Sequence, residues 1–219
     1  MHLSKKGLHD YLIQTTALLI PRHFKDLNTE YSYKAFIPMG NTVDLSSDVE
    51  PDFEKPVLQF IVCGSPVIDT PTSPLHWRIY LHMGDHKSIL VDMTIREPSE
   101  GRGKPDATGW LFISKKDYAY SNTSDMGFVI IPKKGRIVTV RNVLEMIRDL
   151  KRDKYRFDTD FGGCRYWCSI IIADLEKKGF IAPGYSVAFE TFIEQKHSEN
   201  PARYPLPTRQ GTFTELPSE

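Results

Sequence analysis

Leu75-His76-Trp77-Arg78-Ile79-Tyr80-Leu81-His82-Met83-Gly84-Asp85-His86-Lys87-Ser88-Ile89-Leu90-Val91-Asp92-Met93 is the stretch on which the reading of the fold turns. Leu75, Trp77, Ile79 and Leu81 alternate with His76, Arg78, Tyr80 and His82, so a strand places the first four on one face and the second four on the other. Beyond a tight Met83-Gly84-Asp85 connection, Ile89, Val91 and Met93 alternate with Ser88, Leu90 and Asp92, which predicts a hairpin. If the polar faces of its two strands coincide, Asp92 falls beside His76 or Arg78.

Outward from the hairpin, residues 57 to 63 read as a buried strand ending at Gly64, and Pro66, Pro71 and Pro74 keep the connection extended. Further strands are expected at 109 to 114 and 127 to 131, with loops at 40 to 56 and 96 to 108. Helical spacing of Leu8, Tyr11, Leu12, Thr15, Leu18 and Leu19 predicts a first helix that Pro21 stops. Thr139 is placed to cap a helix carrying Val140, Val143, Leu144, Ile147 and Leu150. A helix opening at Cys164 carries Ile171, Ile172 and Leu175 to a Gly179 cap, and another is expected at about 186 to 196. The pattern is α+β: an antiparallel sheet with helices on one side, in a single domain over residues 1 to 200. Pro201, Pro205, Pro207 and Pro217 mark 201 to 219 as an extended or disordered tail.

At 219 residues and 40% hydrophobic composition the chain is long and apolar enough for a packed core. Its 28 basic side chains equal its 28 acidic ones, so no global field recruits polyanions, and nucleic acid is not expected as a partner. The longest apolar runs fall far short of the roughly 20 residues that span a bilayer, so no transmembrane anchor is expected. Met1-His2-Leu3-Ser4-Lys5-Lys6 lacks the pattern of a secretory signal, and three cysteines, Cys63, Cys164 and Cys168, suit a reducing compartment. A cytoplasmic location follows as the expectation.

Two residues stand in sequence surroundings that would make them reactive. Cys164 lies in Gly162-Gly163-Cys164-Arg165-Tyr166-Trp167-Cys168 at a helix start, where the dipole and free backbone N–H groups favour thiolate. An imidazole brought near it could act as its base, and His76 is the candidate. Cys168, one turn on, and Cys63, at a strand end, read as core. His76, His82 and His86 have a spacing that a metal could exploit, but no dense Cys/His/Asp set accompanies them and no metal or other cofactor is needed. Trp77 and Trp167 flank the two reactive positions and suit packing of strand against helix. The Lys/Arg-rich run from Arg148 to Arg156 reads as a solvated helix end.

His76 precedes Cys164, an order that resembles the circularly permuted papain-like group. HWRIYLHMGD, from His76 to Asp85, resembles the histidine strand of the lecithin retinol acyltransferase and NlpC-like superfamily, and GGCRYWC is similar to its N-C-E-H-F cysteine helix. The combination of HWR, a following Asp-Met and CRYW also resembles an uncharacterised group of fungal proteins. The resemblance implies Cys164 as nucleophile, His76 as base and, in place of a second strand histidine, Asp92 as the group that orients the imidazole. Departures from the motif are Gly163 where the family has asparagine and Arg165-Tyr166-Trp167 where it has Glu-His-Phe.

A thiol-dependent hydrolase or acyltransferase is the expected function, acting on a small-molecule or peptide acyl substrate such as a peptide, isopeptide or thioester. Arg78, Tyr80, Arg165, Tyr166 and Trp167 are the candidates to line its substrate cleft. Two other readings use the same residues: a catalytically silent ligand-binding module, and an amide-forming or aminoacyl transferase in small-molecule biosynthesis.

Overall fold

A computed structural model of the chain describes residues 42 to 95, 107 to 124 and 127 to 215, all within one compact unit, Pro38–Glu219. The helix expected at 8 to 19 and most of the 96 to 108 loop lie outside the described residues. Among the described residues, eight strands and three α-helices run in the order β1 (Val43–Leu45), β2 (Gln59–Pro66), β3 (Leu75–Gly84), β4 (Lys87–Ile95), β5 (Gly109–Lys116), β6 (Phe128–Ile130), α1 (Val140–Asp149), β7 (Tyr155–Arg156), α2 (Cys164–Lys177), α3 (Tyr185–Glu199) and β8 (Thr212–Phe213).

Six strands form one sheet in the order β1-β5-β4-β3-β2-β6, and β7 pairs with β8 apart from it. The fold is α+β as expected, but the sheet is mixed rather than antiparallel, because β1 joins β5 in parallel. That strand lies inside the stretch expected to be a loop: three residues among Asp, Ser and Pro are too few for alternation to register. The hairpin is as its alternation predicts, except at its tip. Gly84 pairs with Lys87, and the turn is Asp85-His86, both at positive φ (49° and 56°) as a two-residue type I′ turn requires, with a bulge at Met83 absorbing the shift.

Helices pack on the face carrying Trp77, Ile79 and Leu81. Trp77 meets Phe189 of α3 edge-on at 5.7 Å and Tyr204 at 6.1 Å. On the opposite face Ile61, Cys63, Tyr80 and Leu90 form a second buried cluster, covered by Phe112 and Ala119. Thr139 caps α1 through a reciprocal pair with Asn142, each side chain accepting the other's backbone N–H. Gly179, at φ 65°, ends α2.

The tail expected to be extended or disordered is tied into the fold as far as Glu215. Tyr204 and Gly211 are buried, and Thr212 and Phe213 pair with Arg156 and Tyr155. Nor is the 148 to 156 run a solvated helix end, since Asp153 and Tyr155 are buried. Arg152 donates from Nε and Nη2 to the buried Asp174 of α2 at 2.6 and 3.2 Å, and its carbonyl accepts from Trp167 Nε1 at 2.8 Å. This pair locks α2 to the segment before it. Asp174→Ala leaves the Arg152 charge without its partner and should cost about 3 to 5 kcal/mol, whereas Asp149→Ala, on an exposed pair with Arg148, should cost less than about 0.5 kcal/mol. Urea denaturation of the two variants measures the contrast.

Candidate active site

The sheet forks where β3 and β4 part. Their ladder runs from Gly84 and Lys87 to Ile79 and Val91, yet each strand continues beyond it: β3 stays paired with β2 down to Leu75, and β4 stays paired with β5 up to Ile95. The first turn of α2 occupies the opening. Trp77 N–H, which would face β4 in an unbroken ladder, donates instead to Cys164 Sγ at 3.3 Å, and the sulfur lies 3.9 Å from the Leu75 carbonyl. The sulfur thus takes the place of a strand backbone at the β3 edge.

His76 and Asp92 flank this opening on the same sheet face. Continued register would set Asp92 opposite Arg78, and His76 reaches it along the diagonal. His76 Nε2 donates to Asp92 Oδ1 at 2.6 Å. With Nε2 committed to Asp92, Nδ1 is the other ring nitrogen, and the imidazole and the Cys164 sulfur are near enough to shift each other's pKa. The imidazole side chain is 21% exposed and the Asp92 side chain 11%, so the trio is sheltered but reachable.

Opposing forces set the protonation of the pair. Burial pushes the His76 imidazole pKa down, but the Asp92 hydrogen bond, the sulfur and the charges of both outweigh it and raise the pKa to about 10. Burial pushes the Cys164 thiol up, whereas the His76 hydrogen bond and charge, with the backbone N–H groups of Trp77 and Arg165, bring it below its ordinary value. The ground state these directions favour is thiolate beside imidazolium. The other two cysteines are different. Cys63 and Cys168 are fully buried, and burial raises both thiols.

A glycine makes the helix start. Gly163 sits at φ 129°, and a Cβ there would lie 2.5 Å from the Tyr155 hydroxyl, so no other residue fits without rearrangement. No described side chain caps α2, whose first intrahelical bond is Trp167 N–H to Gly163 O at 2.9 Å. The N–H groups before it remain for the sulfur and for whatever binds beside it. Tyr155, which the sequence reading did not single out, buttresses this turn: its hydroxyl donates to Gly163 O at 2.9 Å and accepts from Gly211 N–H at 2.9 Å. The approach is held by Asp158, whose Oδ1 accepts from Gly162 and Asp160 N–H groups at 2.6 and 3.0 Å. Arg209 from the tail clamps that carboxylate with donors at 2.6 and 2.9 Å. The acidic turn before Gly162-Gly163 is a local signal for this brace, but Arg209 and Gly211 lie too far along the chain for any motif to connect them.

The five residues expected to line a cleft divide. Arg78 borders the trio, its Nε 3.6 Å from Asp92 Oδ2, and Tyr166 is half-buried at the helix start. Tyr80 and Trp167 are fully buried, so neither is placed to touch a ligand; Tyr80 belongs to the second core cluster and Trp167 to the Arg152 lock. Arg165 is also buried, donating from Nη2 to the Pro205 carbonyl. A helix start projects only part of its first turn toward the site, and Arg165 and Trp167 fall on the side turned into the protein.

Removing the Tyr155 hydroxyl strands the buried Gly211 N–H and leaves Gly163 O with Trp167 N–H as its remaining donor. Tyr155→Phe should therefore lower stability by about 1 to 3 kcal/mol in urea and slow alkylation of Cys164 at neutral pH, while the folded far-UV spectrum is kept.

No curated protein and no solved structure matches the chain. A family model described as Domain of unknown function (DUF7770) matches residues 60–214. That match takes in β2 through β8, including the fork, the trio and the tail that braces them, and the chain belongs to the DUF7770 family.

Proposed function

We propose that the protein is a thiol-dependent hydrolase or acyltransferase in which Cys164 is the nucleophile, His76 the proton carrier and Asp92 the group that orients the imidazole. The observation that carries this reading is the position of His76, bonded through Nε2 to Asp92 at 2.6 Å and adjacent on β3 to Trp77, whose N–H holds the Cys164 sulfur at 3.3 Å. A buried structural cysteine needs no imidazole or aspartate beside it. The helix-on-sheet arrangement, with the histidine strand first and the cysteine helix after, also supports a permuted papain-like architecture.

In this chemistry the thiolate attacks the carbonyl carbon of an acyl substrate, forming a carbon–sulfur bond and a tetrahedral oxyanion. Uncapped N–H groups at the start of α2 are the donors nearest to that oxygen, and such donors typically contribute about 2.7 to 4 kcal/mol each. His76 passes its Nδ1 proton to the leaving amine, alcohol or thiol as the bond to carbon breaks, leaving an acyl-thioester. It then takes a proton from an attacking water or acceptor nucleophile, and collapse of the second tetrahedral intermediate releases the acyl product and restores the thiolate. Asp92 holds the ring through both steps. All chemistry is carried by side chains and backbone, without a cofactor. Three free cysteines fit a reducing compartment such as the cytoplasm, where a thiol nucleophile persists.

The pH dependence of iodoacetamide labelling tests the pair. Because the Cys164 pKa is lowered and the His76 pKa raised to about 10, thiolate beside imidazolium is favoured at a lower pH than an ordinary thiol would ionise, and the pair is lost only as pH rises through the His76 value. Labelling of Cys164 should therefore be faster at about pH 6 to 8, and less dependent on pH there, than that of an ordinary thiol. In His76→Ala the rate should fall by about tenfold or more at pH 6 and rise with an ordinary thiol pKa near 8.5 or above. Equal rates in the two proteins at pH 6 would rule the dyad out.

A further inference from the structure

The turns at the far end of α2 carry a surface that the site chemistry leaves unused. Ile131-Pro132-Lys133-Lys134-Gly135-Arg136-Ile137 leads from β6 toward α1, and Lys177-Lys178-Gly179-Phe180-Ile181-Ala182-Pro183-Gly184 ends α2 and leads to α3. The two are bound into one platform. Lys133 N–H donates to Phe180 O at 2.8 Å, Pro132 and Ile181 form an antiparallel bridge, and Arg136 Nη1 donates to the carbonyls of Lys178 and Gly179 at 2.9 and 3.2 Å. The Arg136 guanidinium also lies over the Phe180 ring at 4.7 Å.

Lys133, Lys134, Arg136, Lys177 and Lys178 are all exposed, and neither turn contains a carboxylate. In a chain whose charges sum to zero, this is a local segregation of positive charge. The adjacent Glu176 is engaged elsewhere, its carboxylate accepting from the Ser186 N–H at 3.0 Å and from the Ser186 hydroxyl at 2.5 Å. Two apolar side chains project from the same platform: Ile137 is 79% exposed and Ile131 49%.

That combination selects among polyanions. A nucleic acid site gains from exposed rings on which bases stack, but the one ring here, Phe180, is buried beneath Arg136, and protruding isoleucines do nothing for phosphate contacts. An anionic bilayer uses both features, its headgroups meeting the cations and its acyl boundary receiving the isoleucines. We propose that the 131 to 137 and 177 to 184 turns form a peripheral docking surface for an anionic membrane leaflet. The inference is independent of any role for Cys164. The 14 residues of α2 span about 21 Å, which separates this surface from Cys164 at the other end of that helix.

Cosedimentation of the full chain with phosphatidylcholine vesicles, with and without phosphatidylserine, tests the proposal. Binding should require phosphatidylserine and weaken as salt is raised. Lys133→Gln/Lys134→Gln should weaken it roughly 25-fold, about fivefold per cation, and Ile137→Gln should weaken it with no change in charge. Far-UV spectra of both variants should match that of the parent protein, since the altered side chains are on the surface. Failure to sediment with phosphatidylserine vesicles, binding unaffected by either variant, or retention of an oligonucleotide without vesicle binding would each overturn it.

Discussion

The Cys164 sulfur in the fork between β3 and β4 is the contact on which the rest of this structure depends. Two antiparallel strands that part mid-sheet leave backbone donors and acceptors without partners, which is costly unless something fills the gap. Here a helix N-terminus fills it, with Trp77 N–H donating to the sulfur at 3.3 Å. The same insertion that satisfies the strand edge brings the thiol to the histidine face, and the parting strand β4 carries Asp92 to the far side of the imidazole. Backbone satisfaction and side-chain chemistry are therefore one arrangement.

Holding a helix start in that position takes more than the helix itself. Gly163 adopts a conformation reserved for glycine, and the hydroxyl of Tyr155 ties its carbonyl to Gly211 N–H in the tail. Asp158, clamped by Arg209, fixes the preceding turn. Two of these braces, Arg209 and Gly211, lie after residue 200, so the tail that pairs as β8 and packs Tyr204 against Trp77 is part of the support of the site. The Arg152–Asp174 pair anchors the body of α2, which keeps its first turn from being levered out of the fork.

Local chemistry made much of this legible. Period-two alternation placed His76 and Arg78 on one face and Asp92 beside one of them if the polar faces of the two strands coincide, and Gly162-Gly163 ahead of an apolar stripe marked the start of α2. The fork itself left no mark, because nothing in residues 75 to 79 or 91 to 95 differs from an ordinary hairpin. Strands as short as β1, β7 and β8 are specified by their neighbours rather than by their own sequence, which is why the sheet is mixed and Thr212 and Phe213 pair with β7. Arg165 and Trp167 show the limit of reading a site by adjacency: on a helix, residues one and three positions from Cys164 turn into the protein, toward Pro205 and Arg152.

Nitrogen-15 NMR of the His76 ring near pH 8 tests the central pairing most directly. An imidazole held between the Asp92 carboxylate and a Cys164 thiolate has its pKa raised to about 10, so both ring nitrogens should carry protons at that pH, well above the ordinary histidine value of about 6.5. A neutral ring, with one nitrogen bare at pH 8 in the folded protein, would contradict the ion pair and with it the nucleophile.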